Sequence, residues 1–297
     1  MSIDTILFQK LHIVFPHVGQ SISVFGFEIA YYGMVIALGM IVAGAFVLYD
    51  AKRKGQNQDD YMDLVIWAIV AGVLGARAYY VIFSWDEYKD NLINILKFRQ
   101  GGLAIYGGII GGIIAGIIFC KVKKLKFFDV ADTACLGILI GQIFGRWGNF
   151  FNREAFGGYS DGLLSMQIPI DAVRDSSDIT SEMLQHIVEL DGISFISVHP
   201  TFLYESLWNI GVFLFLFFLR RKRAFYGEIW FFYLALYGIG RMWIESLRTD
   251  QLKIMGTDIA VSQMLSAVLV IISLIYLIYH FYKIKDKIFN KEREHSC

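Results

Sequence analysis

The chain has 297 residues, 56 % hydrophobic, 16 % aromatic and 18 % charged, with 27 basic and 27 acidic residues and a formal net charge of zero. A mean hydropathy of +0.52 is too high for an ordinary soluble protein of this length, and repeated apolar runs of about 20 residues mark membrane spans. Nothing in this balance asks for a nucleic-acid partner, and Cys120, Cys135 and Cys297 have neither metal-ligand spacing nor a disulfide framework, so no metal and no cofactor is expected.

Residues 1–26 lack the basic start, apolar core and small-residue cleavage site of a secretory signal. Seven segments are then long and apolar enough to cross a bilayer: roughly 27–49, 61–83, 101–120, 129–151, 201–219, 227–247 and 259–282. Lys52, Arg53 and Lys54 follow the first. Lys121, Lys123, Lys124 and Lys126 follow the third, and Arg220, Arg221, Lys222 and Arg223 the fifth. A basic tail with Lys283, Lys285, Lys287, Lys291 and Arg293 follows the seventh. With seven spans all four groups fall on one side, which the positive-inside rule assigns to the cytoplasm. The expectation is an all-α integral membrane protein forming one polytopic domain over 1–297, N-terminus outside and C-terminus cytoplasmic.

Two outer segments are more than connectors. WDEYKDNLINILKF (85–98) sets Trp85, Tyr88, Leu92, Ile95 and Leu96 near one helical face, as in an amphipathic helix lying in the interface or packed on the spans. Residues 152–200, with seven acidic residues from Asp161 to Asp191, are too long for a turn and are expected to form a small extracytoplasmic cap. Span three carries glycine at 101, 102, 107, 108, 111, 112 and 116. Small residues spaced by four let helix backbones touch; a substrate chain lying along the same smooth face is the alternative.

Ionisable groups inside a bilayer cost about 2.5–3.5 kcal/mol each and usually mark function. Here they gather at one level, near the outer ends of the spans, with Asp63 and Asp132 the main exceptions. Arg77 lies in span two and Tyr106 in span three. Arg146, Asn149, Asn152 and Glu154 end span four, His199, Tyr204 and Glu205 begin span five, and Tyr237, Arg241, Glu245 and Arg248 run up span six. The last four are spaced i, i+4, i+8, i+11 and so share one face; Arg146 and Asn149, i and i+3, share another. The two arginine stripes admit two explanations. An anion sits between them, or Glu154, Glu205 and Glu245 neutralise them in a structural network. Arg153, close to the interface, is expected to snorkel. Guanidinium is the natural partner of phosphate, and the abundant phosphate of an outer leaflet is a phospholipid head group. The residues alone leave open whether that lipid is reacted on, moved by a flippase or transporter, or held without catalysis.

The stretch GRWGNFFNREAFGG (145–158) resembles the signature of the prolipoprotein diacylglyceryl transferases in Gly145, Arg146, Gly148, Asn149, Phe150, Asn152 and Glu154. Three more blocks resemble that family in order: YYG (31–33), HPTFLYE (199–205) and YGIGRMWIESLR (237–248). The resemblance implies a multi-pass enzyme of the bacterial plasma membrane, its active site facing outward. It would move the diacylglyceryl group of phosphatidylglycerol onto the lipobox cysteine of a preprolipoprotein, and glycerol phosphate would leave. The thiol then belongs to the substrate. Arg146 and Arg241 would stabilise charge on the leaving phosphate, Asn149 and Asn152 would add neutral hydrogen bonds, and Tyr32 and Tyr237 would orient the glycerol or phosphate. Glu245, Glu154 or Glu205 would take the thiol proton, with His199 a further candidate and Arg248 a further anion contact. Several members carry a histidine before the Gly-Gly of span three; this chain has Tyr106 there, and a phenol with pKa near 10 is a poor base.

Overall fold

A computed structural model describes residues 2–97 and 101–295, and side chains up to 287. The chain divides into two compact units: residues up to Ala43 together with those from Cys135 onward, and Gly44–Ala134. It is mostly helical, with α1 (Tyr31–Arg53), α2 (Gln58–Phe83), α3 (Ile105–Val122), α4 (Phe127–Asn152), α5 (Ser181–Gln185), α6 (Thr201–Leu219), α7 (Glu228–Glu245) and α8 (Val261–His295). Among the described residues, six helical stretches are long and apolar enough to cross a membrane: the first four helices, Thr201–Lys222 and Val261–Lys287. The seventh expected span is the 18-residue α7, where Glu228, Arg241 and Glu245 lower the hydropathy.

The sequence reading missed a β layer in the first unit. The strands β1 (Ile6–Phe8), β2 (Ile13–Phe15), β5 (Met166–Pro169), β6 (Val188–Leu190) and β7 (Ile193–Val198) form one antiparallel sheet in the order β2-β1-β5-β7-β6. The N-terminal strands thus complete the 152–200 insert, with Leu7 opposite Gln167. Beneath the sheet, Ile6, Phe156, Ile168 and Ile196 pack against Phe150 of α4 and Phe202 of α6. The cap therefore sits on the two helix ends that carry the polar motifs. A second hairpin, β3 (Ser21–Val24) with β4 (Phe27–Ala30), turns at Phe25 and Gly26, both with positive φ, and runs directly into α1. In the same unit α6 packs on α7, and α7 on α8.

In the second unit α2 and α3 pack along their glycines. A methyl group added to Gly107 or Gly111 would strike the carbonyl oxygens of Gly75 and Ala71. The glycine stripe of span three is thus used for helix contact, as small residues at membrane interfaces usually are. The segment 85–98 does not form the single helix expected of it, and residue 98 lies outside the described residues. It makes two short 3-10 turns, Trp85–Glu87 and Leu92–Leu96. Asn91 accepts from the Ile93 amide and starts the second turn anew, the usual competition of an asparagine side chain with a continuing helix. Arg77, buried on α2, anchors this loop. Its Nε donates to the Ile95 carbonyl at 2.9 Å, Nη1 to Gly101 and Gly102 at 2.8 and 2.9 Å, and Nη2 to Asn94 at 2.6 Å, with the Tyr88 ring over the guanidinium.

Candidate active site

The motif residues of the first unit meet where α4, α6 and α7 end beneath the cap. Glycine makes the approach possible. A Cβ on Gly148 would come within 2.7 Å of the Tyr32 ring, so that ring lies flat against α4 one residue before Asn149. Gly240 on α7 likewise faces the Trp208 indole, whose Nε1 donates to the Leu236 carbonyl at 2.9 Å. After α4 the chain turns sharply, Arg153 and Ala155 both taking positive φ. Gly157 and Gly158 then thread between α6 and α7. Gly157 donates to the His199 carbonyl at 2.9 Å, Gly158 donates to the Leu247 carbonyl at 2.8 Å, and His199 donates back to Gly158 at 3.1 Å. The motif's tail clamps the starts and ends of the helices bearing the other motifs.

Glu205 stands at the centre, 2 % exposed. Its Oε1 lies 3.0 Å from Arg146 Nε, and its Oε2 accepts from Arg241 Nη1 at 3.1 Å. Arg241 Nη2 lies 2.6 Å from Glu245 Oε2, and Arg248 Nη1 is 3.8 Å from that same oxygen. Arg248 closes the row with a two-point contact to Asp250, Nε to Oδ1 at 2.8 Å and Nη2 to Oδ2 at 2.5 Å. On the other side Arg146 Nη1 donates to Asn149 Oδ1 at 3.2 Å. Asn149 and Asn152 both donate to Glu154 Oε1, at 2.9 and 3.1 Å, and Glu154 Oε2 pairs with Arg174 of the cap at 3.1 Å. Tyr237 lies among Arg146, Arg241 and Glu205. An unbroken polar row thus runs from the cap through α4, α6 and α7 to Asp250.

Of the two explanations offered for the arginine stripes, the carboxylate network is the one formed here. Arg146 and Arg241 share Glu205, and Arg146, Arg241 and Arg248 are matched by Glu205, Glu245 and Asp250. The Arg146 contact is the weaker of the two at Glu205: the ions are close, yet Oε1 accepts no hydrogen bond. Among the described residues no group of three or more His, Cys, Asp or Glu side chains is placed to hold a metal ion.

The remaining expectations divide. His199 is one residue away from α6, with Nδ1 3.3 Å from the Tyr204 hydroxyl, and burial pushes its imidazole below the ordinary value. It touches the glycine clamp rather than the arginines. Arg153 does not snorkel. It is 2 % exposed, donates to the Val18 carbonyl, and pairs with Asp4 at 3.1 Å, because the cap folds over it. Tyr106, half-buried, is the second residue of α3 in the second unit. Sequence reasoning missed Arg174, Asp250 and the glycine pair. Only the glycines left a local signal, as an adjacent pair in the loop that follows α4.

A family model described as prolipoprotein diacylglyceryl transferase matches residues 20–279. The chain is similar to phosphatidylglycerol–prolipoprotein diacylglyceryl transferases from several bacteria. The protein of Clostridioides difficile (strain 630) is 40 % identical over 266 residues, 90 % of this chain and 96 % of that one. That of Listeria welshimeri is 37 % identical over 266 residues, covering 90 % and 91 %, and that of Bacillus cytotoxicus 40 % over 252 residues, covering 85 % and 88 %.

Proposed function

This chain belongs to the prolipoprotein diacylglyceryl transferase family, and on that premise we propose that the row centred on Arg146, Glu205 and Arg241 is where the transfer takes place. The enzyme is a transferase that moves the diacylglyceryl group of phosphatidylglycerol to a prolipoprotein. Its seven spans include α7, and its N-terminus and cap lie outside the plasma membrane of a bacterial cell. The acceptor is the thiol of a lipobox cysteine, presented at the outer end of the helices.

The reaction asks three things of the site. The thiol must lose its proton, its sulfur must reach the glyceryl carbon that bears the phosphate, and the C–O bond must break with its electron pair leaving on the phosphate oxygen. A C–S bond replaces the C–O bond, and glycerol phosphate departs. Arg146 and Arg241 face each other across one carboxylate, a separation that suits two guanidinium groups gripping a tetrahedral phosphate. Donors fixed before reaction and aimed at growing charge are the strongest single source of catalysis. Asn149 and Asn152 add neutral donors beside them, and Tyr32 and Tyr237 line the approach.

Position beside the arginines supports a glutamate as the proton acceptor. The central guanidinium and carboxylate groups already match one for one. Entry of a phosphodiester leaves the buried centre with an excess negative charge, which is costly at low dielectric. A carboxylate that takes the thiol proton loses its own charge as the thiolate gains one, so the total is unchanged and the negative charge moves from the carboxylate to the attacking sulfur. Glu205 and Glu245 contact the arginines and are the proposed acceptors; Glu154, tied to Asn149, Asn152 and Arg174, orients the amides. Arg248 holds Glu245 in place, and His199 positions the glycine clamp.

The observation that carries this assignment is the shared Glu205 between Arg146 and Arg241, one carboxylate held by two guanidinium groups where α4, α6 and α7 meet. Its test is the conversion of labelled phosphatidylglycerol and a lipobox peptide by purified wild type and Arg146→Ala protein. Thioether-linked lipid from the first and none from the second is expected; equal product from both removes Arg146 from the site.

A further inference from the structure

Asn209 is an anomaly that the proposed chemistry does not use. It lies on α6 four residues after Glu205 and is fully buried, yet neither its amide nitrogen nor its carbonyl oxygen has a hydrogen-bond partner. An orphaned amide at this depth is expensive, because a membrane helix interior has no water to fall back on. The face it occupies points toward α4: Ser206, three residues earlier, donates to the Ile143 carbonyl at 3.4 Å. Gln142, one turn inward from Arg146, donates to the Tyr233 hydroxyl at 3.0 Å and leaves its own buried carbonyl oxygen unpartnered. A second polar layer therefore lies one turn below the arginine layer, on the same helices.

Residues four apart on a helix have side chains within hydrogen-bond reach of each other. Glu205 is the group that can reach Asn209, and it is also the group that must move, for it occupies the space between Arg146 and Arg241 that the phosphate needs. Its hold on Arg146 is a charge contact without a directed hydrogen bond. We infer that Glu205 changes partners when lipid binds: the phosphate takes over Arg146 and Arg241, and the displaced carboxyl turns one helical turn inward onto the Asn209 amide. On lipid entry the Asn209 N–H donates to the displaced Glu205 carboxylate, and once that carboxylate has taken the thiol proton its O–H donates to the amide oxygen, so that both orphaned atoms are satisfied. Asn209 is then a positioning residue that receives the displaced acid. In the free protein Glu205 is a placeholder for phosphate.

This rests on the assignment of phosphate to Arg146 and Arg241, and the experiment separates the two. Binding of phosphatidylglycerol to the purified full-length protein is measured without peptide, so that no turnover occurs, for wild type, Asn209→Leu, Glu205→Gln, the double variant and Arg146→Ala. Asn209→Leu is expected to bind the lipid about tenfold more weakly, the loss typical of one hydrogen bond to an ionisable group. It should nevertheless unfold at no lower temperature than wild type, since its orphaned atoms are gone. In the Glu205→Gln background, where no carboxylate competes for the arginines, the same Leu substitution should change binding less than twofold. Should leucine crowd the helix contact, Asn209→Ala carries the same expectations. Wild-type binding by Asn209→Leu and Asn209→Ala, or an equal loss with and without Glu205, overturns the exchange. Full binding by Arg146→Ala overturns the phosphate assignment beneath it.

Discussion

Arg146 and Glu205 come from different helices and lie 3.0 Å apart, and the far oxygen of the same carboxylate is held by Arg241 at 3.1 Å. One acidic side chain thus holds two half-buried cations beside each other. Removing a guanidinium leaves Glu205 partly uncompensated.

Arg241→Lys should therefore be far more damaging than its charge suggests. Arg241 spans two carboxylates, Glu205 through Nη1 and Glu245 through Nη2, and an ammonium on a flexible stem cannot present that fork. Turnover in the labelled-lipid assay should fall by about a hundredfold or more, the cost of a lost transition-state donor, with protein levels in the membrane unchanged. Unimpaired turnover would mean that charge alone suffices at this position.

Gly157→Ala is expected to disrupt the site without touching an ionisable group. A Cβ there would lie 2.7 Å from His199 Cβ and 2.8 Å from the Leu247 carbonyl oxygen, and the latter is backbone held by the Gly158 amide. Overpacking of this kind costs about 1–3 kcal/mol. Thermal unfolding in detergent should show a lowered midpoint together with lost transfer; a variant with wild-type melting and activity would mean that the clamp opens freely.

Arg77→Lys should loosen the loop backbone at Asn94, Ile95, Gly101 and Gly102. Four carbonyl oxygens accept from the one guanidinium, more than an ammonium's three donors can serve, and hydrogen bonds to a charged group are worth about 1.5–3 kcal/mol each. Limited proteolysis of reconstituted protein should cut this loop faster in the variant. Equal cutting rates would show that the loop is held by other contacts.

His199 should shape the acid side of the stability profile. Burial lowers its imidazole below the ordinary 6.5, so the folded protein favours the neutral ring. The resulting stabilisation is complete above that ordinary value and is lost as the pH falls through the lower folded one. Between pH 7 and pH 5 the wild-type melting temperature should drop more than that of His199→Gln. Parallel curves would indicate that the ring protonates as easily in the fold as in the open chain.

How much of this was legible in the sequence follows from the range of each interaction. The stripe Tyr237, Arg241, Glu245 and Arg248 was visible because helical period acts within eleven residues, and the span lengths because the bilayer sets them. The pairing of Glu205 with both arginines was not, since period gives a face and no distance between helices; a network and a bound anion read alike until Arg146, Arg241 and Glu205 are brought together. The sheet was hidden for a related reason. Its strands are three to six residues long, too short for an alternation signal, and Leu7 pairs with Gln167, a partner remote in sequence. The 85–98 segment carried a correct apolar period and still broke, because Asn91 captured the Ile93 amide locally. Arg153 misled for want of the cap: its environment is supplied by Asp4 and Val18, which no local pattern links to it.

The measurement that bears most directly on the central claim is product formation by Arg146→Ala protein, purified in parallel with wild type and supplied with labelled phosphatidylglycerol and a lipobox-cysteine peptide. Wild type should yield the thioether-linked diacylglyceryl peptide, and the variant, inserted and folded, should yield none above background. Thioether product from Arg146→Ala at the wild-type rate would contradict the account.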